Sequence, residues 1–148
     1  MKLRPASRAD AAAMAQIHAT AFASPWSAED ILRFAAAPGG FALVAETEGE
    51  MAGFILCRVM AGEAEMLTLA VRPALRRRGV ALALVEAASA LAAQTAEAMF
   101  LEVAEDNPGA LALYRRSGFS AVGRRAGYYG RAGGAAVDAV VMRRALNS

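Results

Sequence analysis

Apolar and polar positions along the chain fall into short apolar runs, separated by turn residues, and into stretches with helical spacing. Apolar runs between turns are typical of strands, and apolar positions three or four residues apart are typical of helices. We predict, in chain order, a strand at 2–5, a helix at 8–22, a short helix from 27 that ends at 38–40, strands at 41–46, 51–60 and 65–71, a helix at 76–94, a strand at 99–103, a helix from 107 to 118, and strands at 119–125 and 137–143.

This order, βααβββαβαββ, contains one parallel crossover, between the strands at 65–71 and 99–103. We therefore expect an α+β fold with a mixed, mostly antiparallel sheet flanked by helices, in a single domain that spans 1–148.

Three sites carry residues that begin or end helices. Ser27 and Asp30 form a capping-box pattern, with Asp in place of the usual Glu. Asn107 is a favourable N-cap, and Pro108 follows at the first helical position. Gly118 is typical of the residue that ends a helix. These sites place the starts of the second and fourth helices.

Composition excludes several classes of protein. Hydrophobic residues make up 57% of the 148 residues and charged residues 20%, which is not the composition of a disordered chain. Cys57 is the only cysteine and His18 the only histidine. These counts exclude an internal disulfide and a cysteine-rich zinc site, and we expect no metal. We expect Cys57 in the core and His18 on a face of the first helix.

Charge and hydropathy favour a cytoplasmic protein. The first ten residues are charged and contain no long apolar stretch, and no apolar run is long enough to span a bilayer. The net charge of +2 does not by itself indicate a nucleic-acid partner. Four arginines nevertheless cluster within seven residues, at positions 72, 76, 77 and 78.

The segment from Val71 to Ala81 carries the strongest chemical signal, since it joins a predicted strand to a predicted helix. Free N–H groups at a helix start bind phosphate, and the helix dipole assists them. Gly79 allows close approach of an anion, and arginine side chains add charge for phosphate oxygens. The segment matches neither a Walker loop nor a dinucleotide-binding fingerprint. The alternative is a basic turn that caps a core helix.

A second signal joins Glu102, Asn107 and Tyr114. Glu102 lies in an apolar strand, where an acidic residue usually has a partner or a task. Asn107 and Tyr114 are about two helical turns apart and share a helix face. We expect Glu102 and Tyr114 to converge at the carboxyl ends of the parallel strands, where ligands bind in such sheets. The alternative is core packing with satisfied polar groups.

The pattern Arg-x-x-Gly-x-Ala, after a strand that ends Val-x-Pro, resembles the acetyl-CoA pyrophosphate loop of the GNAT superfamily of N-acetyltransferases. The whole chain resembles the RimI-type members, which acetylate the N-terminal alanine of a small-subunit ribosomal protein. This resemblance rests on Pro25-Trp26-Ser27, Leu69-Ala70-Val71-Arg72-Pro73, Leu101-Glu102-Val103, Asn107, Leu113-Tyr114, Gly118-Phe119, Tyr128-Tyr129 and Asp138-Ala139-x-x-Met142.

The resemblance implies the GNAT fold and a role for each matching residue. Glu102 would be the general base, directly or through water, and Tyr114 would protonate the leaving thiolate. Ala81 departs from the family pattern, since a second glycine is commoner there. The residues implied to bind acetyl-CoA are Leu69, Ala70 and Val71 along the pantetheine arm, Arg76, Arg77, Arg78, Gly79, Val80, Ala81 and Leu82 around the pyrophosphate, and Asn107.

The substrate implied is the N-terminus of a ribosomal protein. Trp26, Tyr128 and Tyr129 are expected to line a peptide groove, with at most one of the adjacent tyrosines facing it, because neighbouring strand residues point to opposite faces. An α-amine has a pKa of roughly 7.7–8.0 against roughly 10.4 for lysine, so Glu102 needs to contribute only modestly to its deprotonation. A phenol of pKa ~10 is a weaker acid than a thiol of ~8.5, so Tyr114 needs a lowered pKa to donate its proton.

Three other functions remain open. A GNAT enzyme for a small polycationic amine would favour an acidic cleft, and the sequence has no dense acidic run. A non-catalytic acyl-CoA-binding module would not need Glu102 and Tyr114. A nucleic-acid binder could use the arginine cluster, but no recognition helix or aromatic platform accompanies it.

Overall fold

A computed structural model describes residues 1–130, 134 and 136–146. Its elements are β1 (Lys2–Pro5), α1 (Ala11–Ala21), α2 (Ala28–Ala36), β2 (Gly40–Thr47), β3 (Glu50–Met60), β4 (Glu63–Val71), α3 (Val80–Ala92), β5 (Ala98–Ala104), α4 (Pro108–Arg116), β6 (Ser120–Tyr129) and β7 (Val137–Ala145). The predicted α+β class and the order of the elements are confirmed.

The seven strands form one sheet in the order β1-β2-β3-β4-β5-β7-β6. Every neighbouring pair is antiparallel except β4 and β5, which are parallel. Helices α1 and α2 cover one face over a core that includes Met14, Ile31 and Phe54. Helix α3 packs on the other face, where Leu84 and Met99 lie in the larger core. The sheet is therefore buried on both faces at its centre.

The caps that the sequence predicts are present. Ser27 Oγ accepts a hydrogen bond from the Asp30 N–H at 3.1 Å, and the Ser27 N–H donates to the Asp30 carboxylate at 3.4 Å. Asn107 Oδ1 accepts from the Ala110 N–H at 3.1 Å, and Pro108 is the first residue of α4. Both helices thus begin where local chemistry satisfies their first N–H groups.

The helix predicted at 76–94 is shorter in the structure, and this part of the prediction is wrong. Helix α3 begins at Val80 and ends at Ala92. Arg77 has a φ of +64° and Gly79 a φ of +81°, and these two left-handed residues interrupt any right-handed helix before Val80. Residues 76–79 are therefore a loop, and the helix N-terminus lies further along the chain than its apolar pattern suggests.

Cys57 is fully buried in the core, as predicted. Desolvation raises the pKa of its thiol to about 12, so the thiolate form is scarce at neutral pH. None of the helices in the described part of the chain combines the length and the apolar composition that crossing a membrane requires.

Candidate active site

The site is built around the place where β4 and β5 separate. The two strands pair in parallel only from Glu63 with Ala98 to Glu65 with Phe100. Beyond Phe100 each strand keeps its other neighbour: β4 continues alongside β3, and β5 alongside β7. The facing edges of β4 and β5 consequently form a cleft in the middle of the sheet.

Alternation along the antiparallel ladder fixes which groups of β4 face this cleft. The Arg72 N–H donates to the Ala52 carbonyl at 2.8 Å, so the N–H and C=O groups of residue 72 point toward β3. The N–H and C=O groups of every second residue, which include those of Ala70, point the same way. Leu69 and Val71 turn their N–H and C=O groups toward the cleft. Two of the three residues expected along a pantetheine arm thus have the required main-chain orientation, and Ala70 has the opposite one.

The same reasoning applies to β5. The Glu105 N–H donates to the Asp138 carbonyl of the β7 side at 3.0 Å, and the Leu146 N–H donates to the Glu97 carbonyl at 2.8 Å. Odd-numbered residues therefore turn their main chain toward β7, and the main chain of Glu102 turns toward the cleft. Both walls of the cleft offer hydrogen-bonding groups to an extended molecule.

The loop at the end of β4 has the geometry of an anion-binding site. Gly79 is the N-cap of α3, and a Cβ added to it would meet nothing within 4 Å, so the space in front of the helix N-terminus is open. The first N–H groups of α3 have no acceptor within the helix. Arg76 Nε donates a hydrogen bond to the Val71 carbonyl at 3.2 Å, whereas Arg77 and Arg78 are exposed on the loop.

A cavity of about 800 Å³ lies on the α1–α2 face, beside the cleft. Its lining includes Trp26, Tyr128 and Tyr129, which were predicted to line the peptide groove, and Glu102, the predicted base. The structure therefore brings together the predicted base and the predicted groove.

The expectation that at most one of the two tyrosines faces this groove is wrong. Both line the cavity, with their rings 4.9 Å apart and nearly perpendicular. The strand β6 departs from regular alternation here, because its register with β7 shifts between Arg125 and Tyr129, and Gly127 has a φ of +61°. A bulge redirects side chains that a regular strand would place on opposite faces.

The Glu102 carboxylate, whose side chain is 28% exposed, is held by an arginine. Arg125 Nη1 donates to its two oxygens at 2.8 and 3.0 Å. The guanidinium also lies 4.0 Å from the centre of the Tyr128 ring, a cation–π contact. Tyr129 donates its hydroxyl to the Glu102 carbonyl at 3.4 Å. Sequence reasoning missed Arg125, since nothing in the pattern of β6 sets it apart from its neighbour Arg124.

Tyr114 is the other residue to which the resemblance assigns a catalytic role. It is buried in the core beneath α3, packs edge-on against Phe119 at 6.0 Å, and is not among the residues that line the cavity. Burial raises the pKa of its phenol above the usual value, with Tyr129 and Cys57 adding to the effect. This direction is opposite to the one that proton donation to a thiolate requires.

His18 is the second group that sequence reasoning missed. Its Nδ1 accepts a hydrogen bond from the Trp26 N–H at 3.1 Å, and its Nε2 lies 3.1 Å from Thr68 Oγ1. The ring stacks on Phe22 and Trp26. A main-chain N–H can only donate, so Nδ1 is the acceptor, and Nε2 carries the proton and donates to Thr68. Helical spacing predicted the helix-face position of His18, but these partners lie eight and 50 residues away along the chain.

The described residues contain no group of three or more His, Cys, Asp and Glu side chains that could hold a metal ion.

The burial of His18 leads to a prediction about acid stability. Burial lowers the pKa of His18 below its usual ~6.5, so the folded protein binds this proton less readily than the unfolded chain. The contribution of neutral His18 to the free energy of unfolding is complete above pH ~6.5 and is lost as the pH falls toward the folded pKa. This loss amounts to at most about 1.4 kcal/mol per pH unit.

We therefore expect Tm to fall more steeply between pH 7 and pH 5 for the wild type than for His18→Gln, as measured by calorimetry in matched buffers. The carboxylates titrate in both proteins and cancel in the comparison. Equal slopes would show that His18 does not titrate differently in the folded and unfolded chains.

Comparison with known proteins is consistent with this geometry. The model of the acetyltransferase (GNAT) family matches residues 11–119, which run from the start of α1 to the end of the α4 turn. The N-alpha-acetyltransferase RimI of Mycobacterium tuberculosis is 37% identical over 143 residues, which cover 93% of this chain and 87% of that protein.

Two further similarities come from Escherichia coli. The ribosomal protein bS18-alanine N-acetyltransferase of strain K12 is 33% identical over 90% of this chain and 89% of its own length. The crystal structure of the ribosomal-protein-S18-alanine N-acetyltransferase superposes with a TM-score of 0.91 at 27% identity, and covers 99% of this chain and 94% of that one.

Proposed function

The chain belongs to the acetyltransferase (GNAT) family, and from that premise we propose that it acetylates the N-terminal α-amine of a protein, with the N-terminal alanine of a small-subunit ribosomal protein as its substrate. It is an acetyl-CoA-dependent N-acetyltransferase. The observation that carries the proposal is the position of Glu102, which lines an aromatic cavity and also forms part of the β4–β5 cleft.

The cleft and the adjoining loop fit acetyl-CoA. The main-chain groups of Leu69 and Val71 would pair with the amides of the pantetheine arm, as a further strand would. The loop from Arg77 to Leu82 would receive the pyrophosphate on the open helix N-terminus. Asn107 uses Oδ1 as a helix cap, which leaves its carboxamide NH₂ to meet the cofactor.

The chemistry requires a neutral amine and an accessible thioester carbonyl. The amine nitrogen attacks the acetyl carbon, a C–N bond forms, and the C–S bond breaks to release the thiolate. Glu102 takes a proton from the amine, directly or through water, and the thiolate takes up one proton, so the reaction releases one proton overall when the substrate starts as an ammonium ion. A cleft-facing N–H of Leu69 or Val71 is the donor for the oxyanion.

Glu102 and Arg125 act together in this proposal. A substrate ammonium approaching the carboxylate meets an acceptor that Arg125 already holds in place. Tyr114, in contrast, is assigned hydrogen bonding to the sulfur rather than proton transfer, since its pKa is raised by burial. The proton that the thiolate takes up then comes from the amine by way of Glu102 or water.

The cavity also supports selection by size. Aromatic side chains of the α1–α2 loop and of β6, among them Trp26 and Tyr128, restrict the space near Glu102. In such a pocket each methylene changes the free energy by only about 1–3 kcal/mol, so alanine would be preferred over bulkier first residues by a finite factor. The proposal places the enzyme in the cytoplasm, where ribosomal proteins are synthesised.

The loop assignment predicts that Gly79→Glu loses acetyl-CoA binding, because a carboxylate then lies where a phosphate should. Gly79→Gln imposes the same left-handed backbone strain without the charge and is the matched control. We expect calorimetry to show that Gly79→Glu binds acetyl-CoA at least about tenfold more weakly than Gly79→Gln does. Like charges at close range near a protein surface repel by a few kcal/mol. Equal affinities of the two folded variants would contradict the assignment.

The base assignment predicts that Glu102→Gln lowers turnover by about 10²–10⁴-fold, with the largest loss at low pH, where the α-amine is protonated. Acetyl-CoA affinity should stay close to that of the wild type. Glu105→Gln is the matched control, because it removes a nearby carboxylate that pairs with Arg124 instead. Full turnover of Glu102→Gln across pH 6 to 9 would rule out a base at this position.

The substrate assignment is tested by thiol release from acetyl-CoA in steady-state kinetics. The substrates are hexapeptides that differ only in their first residue, with an N-terminally blocked lysine peptide and spermidine as controls. We expect the alanine peptide to be preferred and both controls to be poor. Efficient acetylation of either control, with the alanine peptide inert, would overturn the substrate and leave the family and its chemistry in place.

A further inference from the structure

We infer that His18 and Thr68 form a substrate-positioning pair, in which the Thr68 hydroxyl donates a hydrogen bond to the first main-chain carbonyl of the peptide. The inference rests on the proposed function, since it requires a peptide substrate. Neither side chain takes part in the proton transfer described above.

The direction of each hydrogen bond follows from the donors. The Trp26 N–H donates to His18 Nδ1, so the proton of the neutral ring is on Nε2, which donates to Thr68 Oγ1. A threonine hydroxyl has one proton and two acceptor positions. The contact from His18 occupies one acceptor position and leaves the proton of Thr68 to be donated elsewhere.

The fold places the hydroxyl of Thr68 on the side of the sheet that carries the cavity. The register of β4 against β3 skips Leu67, because Leu56 pairs with Thr68 and Cys57 pairs with Met66. This bulge turns Thr68 to the α1–α2 face, where it meets His18, whereas Met66 packs in the core beneath α3. Thr68 is 6% exposed and lines the same cavity as Glu102.

Thr68 and Glu102 lie on opposite sides of the cleft. Glu65 and Phe100 form the last pair between β4 and β5, and both side chains come from the residues that follow on each strand. An amine that reaches Glu102 brings the carbonyl of its own residue into the same narrow space. A carbonyl oxygen can only accept, and the hydroxyl of Thr68 still has a proton to donate, so the two are complementary.

His18 gives this contact its direction. His18 is 2% exposed, and its ring stacks on Phe22 and on Trp26, which restricts its rotation while its Nε2–H is directed at Thr68. The same ring holds the main chain of Trp26, which forms the wall of the cavity. One side chain therefore fixes both the wall and the donor that the peptide meets.

The test compares wild type, Thr68→Val and Thr68→Ser on two substrates. One is the alanine hexapeptide, and the other is the same peptide with its first carbonyl oxygen replaced by sulfur, a weaker acceptor. Thr68→Val is nearly isosteric but lacks the donor, so kcat/KM on the normal peptide should fall by about 3- to 10-fold, mainly through KM. Thr68→Ser retains the hydroxyl and should restore most of the activity.

The effects of Thr68→Val and of the thioamide on kcat/KM should not combine independently. The thioamide should weaken the wild type by a similar factor and should have little further effect on Thr68→Val, because both remove the same hydrogen bond. Calorimetry with acetyl-CoA and thermal unfolding separate this effect from loss of the cofactor site or of the fold. If Thr68→Val does not fold, the wild type and Thr68→Ser still test the hydrogen bond, since the thioamide should lower kcat/KM for both.

Distinct outcomes overturn the two proposals. If the wild type acetylates the alanine peptide but the losses from Thr68→Val and the thioamide multiply, or the thioamide costs nothing, the hydrogen bond to the carbonyl does not exist and the proposed function stands. An effect of Thr68→Val without any thioamide effect would point to a contact with the substrate ammonium instead. If the wild type acetylates no peptide, both proposals fail together.

Discussion

The separation of β4 from β5 after three residue pairs is the constraint on which the rest of the site depends. Main-chain N–H and C=O groups need partners, and a sheet normally supplies them without interruption. Here the outer ladders, β3 with β4 and β5 with β7, continue past the point where the central one stops. The fold therefore keeps two strand edges open at its centre, and a ligand with its own amide groups can satisfy them.

Each remaining part of the site is positioned relative to that opening. The loop after β4 brings the N-terminus of α3 to the end of one edge, with Gly79 leaving space in front of it. The other edge carries Glu102, whose side chain reaches the cavity on the α1–α2 face. The bulge in β4 turns Thr68 to that same face. The proposed function thus divides the binding of the cofactor and the selection of the amine between different parts of one cleft.

Sequence alone predicted those features that short-range chemistry decides. The caps at Ser27 and Asn107, the order of the elements along the chain and the single parallel pair follow from local patterns, and the structure has all of them. The start of α3 was placed too early because an apolar pattern does not reveal the left-handed conformation of Arg77. The orientation of the tyrosines was wrong because a bulge in β6 interrupts the alternation that the sequence shows. The roles of His18 and Arg125 depend on partners that are distant along the chain, and the pKa of Tyr114 depends on its burial, so no local pattern could give them.

The contact between Arg125 and Glu102 has a consequence for how the empty enzyme behaves in a cell. Without a substrate, the carboxylate already has a counter-ion in the Arg125 guanidinium, so a cation that enters the cavity does not meet an unpaired negative charge. In the proposed reaction an arriving ammonium group shares this carboxylate with Arg125 and does not replace it. The charge of the ammonium group then adds less to binding than it would at an unpaired carboxylate, so discrimination depends more on shape and on the neutral hydrogen bonds around the amine. Such a site selects its substrate by shape and hydrogen bonding more than by charge.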